Sequence, residues 1–213
     1  SVKAQANSTG VVVTGITTSD NIKVGAAGSI TTNKIFNTEF KDVLLFEPKV
    51  YSDDRGFFME SFNSFIQDEI GLNFVQDNHS KSHKYVLRGL HYQWNDPMGK
   101  LVRVVSGAGR DVLVDIRENS ETYGKYQSFE LSEYNNHILW APPGFAHGFL
   151  SLEDDTHLCY KNTALHNPEC EGAINPINSG LDIDWGVPND KIILSEKDRE
   201  AFSFQDYAND AKF

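Results

Sequence analysis

From Phe40 onward the chain alternates apolar and polar residues in short runs separated by turn residues. The runs are "KDVLLFEPKVY" from Lys41, "NFVQDNHS" from Asn73, "VLRGLHYQW" from Val86, "KLVRVVSG" from Lys100, "RDVLVDIR" from Arg110, "YQSFELS" from Tyr126, "HILWAP" from His137, "GFLSLED" from Gly148 and "THLCYKN" from Thr156. Each has strand length and is enriched in β-branched and aromatic residues, which suit a pleated, half-buried surface. "SGAGRD" at Ser106 reads as a tight hairpin between two of them. Only "MESFNSFIQDEIG" from Met59 and "SEKDREAF" from Ser195 carry a helical pattern. So many short strands predict an all-β chain with a few short helices, built as an antiparallel sandwich of the jelly-roll type. Its two sheets would enclose a pocket into which alternate residues point.

Residues 1–37 have another texture. They are rich in Gly, Ser, Thr, Asn and Ala, have no aromatic before Phe36, and repeat "ITT" at Ile16 and Ile30. They read as a β-rich or flexible N-terminal arm, with the jelly roll occupying 38–213.

Polar residues interrupt the strand pattern. Arg88 and His91 lie inside an apolar run; Lys100 opens the next; "PPGFAHGFLSL" puts His147 at a strand entrance; "THLCYKN" carries Tyr160. Strict alternation places Leu87, Gly89, His91 and Gln93 on one face and Arg88, Leu90 and Tyr92 on the other. Gly89 marks either a bulge or a close approach, which leaves the register beyond it open. Singly, each residue has an ordinary reading: a satisfied core histidine, a cation reaching solvent, a packed tyrosine. Together, two histidines, two cations and a tyrosine on neighbouring strands are costly to bury without partners, and a pocket holding an anion would offset that cost.

Metal-binding jelly rolls of the cupin type need two histidines two apart, then a glutamate, then a Pro-Gly turn with a third histidine. "PPGFAH" supplies part of the second half, but His91 is followed by Tyr92 and Gln93. No metal is expected, and His91 is left free to act as a base. The net charge of −11 argues against nucleic acid or an anionic membrane as the main partner. No apolar run would span a membrane. Two cysteines and an N-terminus without an apolar leader fit a reducing, cytoplasmic setting.

"SDDRGFFMESFN", "FVQDNHSKS", "VLRGLHYQ", "GKLVRVVSG", "VDIRENSETYGKY", "PPGFAHGFL" and "LSEKD" closely resemble the RmlC family, the dTDP-4-dehydrorhamnose 3,5-epimerases. The resemblance runs from about Lys41 to about Ala201. It implies a metal- and cofactor-free cupin homodimer acting on a dTDP-linked 4-keto-6-deoxy sugar. It implies His91 as base, Asp198 as its carboxylate partner, Lys100 near the keto oxygen and Tyr160 as acid. His147 would be a further pocket histidine. Nucleotide and phosphate contacts would fall to Arg55, Glu60, Gln76, Asn78, Arg88, Glu171 and Lys197. Tyr51, Phe57 and Phe58 are candidates to pack on the base, or core.

The chemistry suits these residue types. Carbons 3 and 5 are both α to the keto group, so a base that removes their protons needs only a stabilised enolate. Asp198 could also be no more than the fourth residue of a capping box begun by Ser195. The sequence departs from the family at His166, in "ALHNPE", where a second tyrosine near the substrate is usual. That departure keeps a single-carbon epimerase open as an alternative. The arm keeps open a saccharide-binding cupin without turnover.

Overall fold

The computed structural model describes residues 34–213, together with the strand segments β1 (Gln5–Asn7), β2 (Gly10–Val12) and β3 (Lys23–Val24) of the preceding stretch. The rest of the N-terminal arm, including both "ITT" copies, lies outside the described residues.

Two sheets carry the fold. Strands β4 (Lys34–Asn37), β5 (Leu44–Glu47), β8 (Gln76–Ser82), β10 (Lys100–Ser106), β13 (Ile138–Ala141) and β15 (Thr156–Asn162) join β3 in a seven-stranded sheet ordered β3-β4-β5-β13-β10-β15-β8. Strands β9 (Leu87–Gln93), β11 (Ala108–Asp115), β12 (Tyr126–Ser132), β14 (Phe145–Ser151) and β16 (Glu171–Ala173) form a five-stranded sheet ordered β12-β11-β14-β9-β16. All pairings within the sheets are antiparallel. The inner faces meet over a core that includes Val102, Val104, Leu113, Phe129, Leu139, Phe145, Phe149 and Leu158. The outer face of the larger sheet packs Ile35, Phe46, Leu101, Ile138 and Trp140 against Ile66 of helix α1 (Ser64–Ile70). The outer face of the smaller sheet is covered by the C-terminal segment through Leu181, Trp185 and Tyr207. This is the all-β jelly roll that the alternation predicts.

The sequence reading differs from the structure at several joints. "KDVLLFEPKVY" is not one strand: it breaks at Pro48 into β5 and β6 (Val50–Asp53), which pairs only with β7 (Gly56–Met59) as a separate hairpin. Met59 therefore ends a strand, and α1 begins later, where the Asn63 side chain accepts from Ile66 N–H. "SGAGRD" is not a hairpin. β10 and β11 lie in different sheets, and Gly107, at φ 79°, carries the chain between them. A Cβ at Gly107 would meet Thr156 Oγ1 at 2.6 Å, so the crossing admits only glycine's outline. The "SEKDREAF" helix is one short turn, α2 (Glu196–Arg199), and a further helix, α3 (Phe204–Ala208), starts at a Ser203–Asp206 capping box. Residues 34–37, read with the arm, form β4 and place Ile35 and Phe36 in the core. Among the described residues no helix is long and apolar enough to cross a membrane.

Candidate active site

Strand β9 supplies the centre of the site, and its register decides which residues face inward. Leu87 pairs with Leu150 and Arg88 with Phe149, yet His91 pairs with His147, so the ladder slips by one residue between Arg88 and His91. Directly opposed residues share a face. The slip sets Arg88 and His91 on the inner face together, while Leu87, Leu90 and Tyr92 pack on the outer one. Strict alternation had separated Arg88 from His91, and Gly89 is the reason it fails. At φ 124° its backbone passes Gly148 and the His147 carbonyl so closely that a Cβ would lie 2.6 Å from each.

His91 Nε2 lies 2.6 Å from Asp198 Oδ1. Asp198 sits in α2, where Ser195 Oγ caps its backbone N–H at 3.1 Å. The capping role and the partnership with His91 thus hold at once, one through the backbone and one through the side chain. Burial pushes the Asp198 carboxyl up. The hydrogen bond and charge of His91, with Ser195 and the Gly89 N–H, outweigh this and hold it below the usual carboxylate range. The imidazole stays 26% exposed while the Asp198 side chain is 5% exposed. The ring can reach a ligand; its partner cannot.

His147 is not at a strand entrance but inside β14, buried, with Nε2 2.8 Å from Asp111 Oδ2. Asp111 is a functional candidate that the sequence reading missed. Its signal was a carboxylate inside the apolar run "DVLV", at a position that register turns inward. Lys100 faces the same interior from β10. Burial pushes its ammonium below the usual lysine range, with Asp111 and then Glu171 pushing back. Tyr160 stands opposite Val102, two residues along from Lys100, and packs on the core between the sheets. Asn78 stands opposite Tyr160 and Gln76 opposite Asn162, with Gln76 Nε2 donating to Asn78 Oδ1 at 2.9 Å. Gln76 Oε1 in turn accepts from the His166 backbone N–H at 3.1 Å.

Glu171 opens β16 opposite Gln93 and accepts from Lys197, with His166 Nε2 3.7 Å away. Burial pushes the Glu171 carboxyl up, but Lys197, His91 and His166 bring it below its usual range. Arg88 donates to Ser82 Oγ at 3.1 Å and to the Lys81 carbonyl at 3.3 Å, and the residue stays exposed. The structure therefore distributes these residues over the two facing sheets and their flanks: Gln76, Asn78, Lys100 and Tyr160 on the larger sheet, Arg88, His91, His147 and Glu171 on the smaller one, and His166, Lys197 and Asp198 on the segments beside them.

Arg55 and Glu60 are placed differently. Arg55 pairs with Asp53 inside the β6–β7 hairpin, its side chain 89% exposed, and Glu60 accepts from Asn63 beside α1. Phe57 and Phe58 on the hairpin are each 62% exposed, so neither is core. Among the described residues no three His, Cys, Asp or Glu side chains converge as a metal-binding group.

The arrangement can do specific chemistry. A carboxylate-held imidazole on β9 and a partly buried ammonium and phenol on β10 and β15 lie on strands whose inner faces are turned toward each other, with amides and cations on the neighbouring strands. That set suits removing a proton next to a carbonyl, stabilising the oxyanion, and returning a proton elsewhere.

Comparison with known proteins converges on one family. The family model described as dTDP-4-dehydrorhamnose 3,5-epimerase matches residues 37–206. A dTDP-4-dehydrorhamnose 3,5-epimerase from Shigella flexneri is 48% identical over 176 residues, covering 81% of this chain and 96% of the relative. The crystal structure of dTDP-4-dehydrorhamnose 3,5-epimerase from Elizabethkingia anophelis matches with a TM-score of 0.77 at 45% identity, over 82% of this chain and 97% of that one. The Legionella pneumophila enzyme, solved in complex with dTDP-4-keto-L-rhamnose, matches with a TM-score of 0.78 at 43% identity, over 81% of this chain and 93% of that one.

Proposed function

Because this chain belongs to the dTDP-4-dehydrorhamnose 3,5-epimerase family, we propose that His91 is the base with which it works, held by Asp198. The protein is an isomerase that epimerises a dTDP-linked 4-keto-6-deoxy sugar at C3 and C5. The observation that carries the residue assignment is the 2.6 Å contact between a partly exposed imidazole and a buried carboxylate.

With Nε2–H given to Asp198, the His91 Nδ1 lone pair is the one that accepts the sugar proton. The electrons left on carbon move into the C4 keto group, and the enolate oxygen takes negative charge. Lys100 donates to that oxygen; its burial strengthens the interaction, since little water screens it. Asp198 offsets the charge of the imidazolium, as a carboxylate does in a hydrolase triad. Tyr160, on the opposite sheet, delivers a proton to the other face of the ring carbon, which inverts it. His91 then loses its proton to solvent and Tyr160 regains one, so the enzyme returns to its starting state.

The rim reads as the nucleotide end. Arg88 and Lys197 suit the diphosphate, Gln76, Asn78, Glu171 and His166 supply polar contacts to base and sugars, and His147 would meet the substrate deeper between the sheets. The β6–β7 hairpin supports a homodimer. It pairs with neither large sheet and exposes Phe57 and Phe58, a surface that a second copy would cover. Docked so, the hairpin would carry Arg55 and Glu60 to the partner's site. We place the reaction in the cytoplasm, consistent with Cys159 and Cys170 being free thiols. We also read it as metal-independent, since the enolate is stabilised by Lys100.

Replacing His91 by Ala tests the assignment. Turnover should fall by about 10²–10⁴-fold, the usual contribution of a general base. The melting temperature should stay close to that of the wild type, which should also keep its rate in EDTA. Near wild-type turnover in the variant would remove His91 from the mechanism.

A further inference from the structure

The carboxylate that holds the base rides on very little structure of its own. Asp198 belongs to α2, a single turn of four residues, and so short a helix does not hold itself in water. Its place is set from its two ends. On the N-terminal side, Ile193 bonds to the start of β9. Its N–H donates to the Tyr85 carbonyl at 2.9 Å, and its carbonyl accepts from Leu87 N–H at 2.9 Å. On the C-terminal side, two ties run to Asn175. The Asn175 N–H donates to the Phe202 carbonyl at 2.7 Å, and its side-chain Nδ2 donates to the Arg199 carbonyl, also at 2.7 Å. Arg199 follows Asp198 directly, and its carbonyl is one of those that a helix end leaves without an intrahelical partner. Asn175 is 5% exposed, and both ends of its amide are engaged. Oδ1 accepts from Ile177 N–H at 2.9 Å and from Asn178 N–H at 2.7 Å. With two N–H groups at one end and a carbonyl at the other, the amide satisfies its neighbours in one orientation only.

We propose that Asn175 is a positioning residue of the reaction, whose side-chain Nδ2 holds the C-terminal end of α2 and so keeps Asp198 against His91. The inference rests on the reading of His91 and Asp198 as base and partner. Two observations set Asn175 apart from a residue that only shapes its own turn. First, the amide has two separable tasks. Oδ1 closes the turn at 175–178, whereas Nδ2 reaches 24 positions along the chain to the residue beside Asp198. Second, the same short segment also meets the strand of the base. Ala173 pairs with His91, and Ile174 exchanges main-chain bonds with Leu90 at 2.9 and 3.0 Å. One stretch of backbone thus sets the base through β9 and the carboxylate through Asn175. Their separation, 2.6 Å between Nε2 and Oδ1, leaves α2 little room to move.

Asn175→Asp separates the two tasks. Oδ1 still accepts from the turn, while the atom that faces the Arg199 carbonyl becomes an acceptor and repels it. In the full-length protein turning over the dTDP-4-keto sugar, kcat should fall by about 10–10²-fold, the scale of a misplacement of about 1 Å, while KM stays close to wild type. The deciding step repeats the substitution in an Asp198→Ala background. There a residue that acts through Asp198 has nothing left to position, so Asn175→Asp should cost little further. An equal fractional loss in both backgrounds would overturn the proposal and leave Asn175 a structural residue, as would an unchanged kcat in the single variant. If Asp198→Ala alone kept the wild-type rate, the reading of the His91–Asp198 pair would itself fall, and the proposal with it. Should Asn175→Asp not fold, Asn175→Ser enters the same cycle. Serine keeps a neutral acceptor for the turn but has no group that reaches Arg199. The same loss and the same dependence on Asp198 are expected of it, and a loss independent of Asp198 would overturn the proposal.

Discussion

At the residue scale, what separates the histidines is their surroundings. His91 and His147 are cross-strand neighbours, each bonded to a carboxylate. Only His91 keeps a substantial exposed surface, which fits the base role proposed for it, whereas His147 is buried against Asp111. Tyr160 gives a prediction at the same scale. In Tyr160→Phe, deuterium should still enter the substrate from heavy water, because His91 can return a proton to the face it left. Epimerised product should fall at least about tenfold, as the acid contributes to inversion rather than to abstraction. Normal inversion would assign the acid to another group, with His166 the first to test. His91, Lys100 and Tyr160 were legible in the sequence because each is a polar residue in a strand-like run. Asp198 was reached only through the resemblance, since its partner lies 107 positions away. Asp111 was hidden because an Asp at the edge of "VLV" in "RDVLVDIR" looks the same whether its strand is covered on one face or on both.

At the scale of elements, the sequence read well where alternation was regular and poorly where one residue redirected the chain. The runs that became β8, β10, β11, β12, β13 and β15 kept their positions. Gly89 and Gly107 were visible as glycines, but a glycine does not announce whether it bulges a strand, closes a hairpin or crosses between sheets. At Gly107 the partner strands decide, and those are long-range pairings that no local pattern encodes. At Gly89 the slip in register is what lets Arg88 and His91 share a face. Gly89→Ala should therefore be destabilising by about 1–3 kcal/mol from backbone strain alone, before the contact with Gly148 is counted. Thermal unfolding would show this as a lowered melting temperature. Activity should fall further than stability explains, because His91 would shift relative to Asp198. A variant as stable and active as the wild type would mean that the bulge does not depend on glycine.

For the whole molecule, the jelly roll turns the inner faces of two sheets toward each other and seals their outer faces with α1 and the C-terminal segment. The seven-stranded sheet reaches past the boundary read from composition, through β4 to β3. β4 pairs with β5 on one side and β3 on the other, and its Ile35 and Phe36 are core. We propose that residues before β4 are an appendage to a unit that is otherwise complete for catalysis. Assembly is the matching prediction. Replacing Phe57 and Phe58 together by Ser should shift the protein from dimer to monomer by light scattering and raise KM, since Arg55 and Glu60 would leave the site. An unchanged dimer would mean that another surface joins the copies. The central claim is that His91 removes protons at both carbons flanking the keto group. The most direct measurement incubates wild type and His91→Ala with dTDP-4-keto-6-deoxyglucose in heavy water and follows C3 and C5 by NMR. The account predicts deuterium at both carbons with the wild type and at neither with the variant. Deuterium entering either carbon at the wild-type rate in the variant would contradict it.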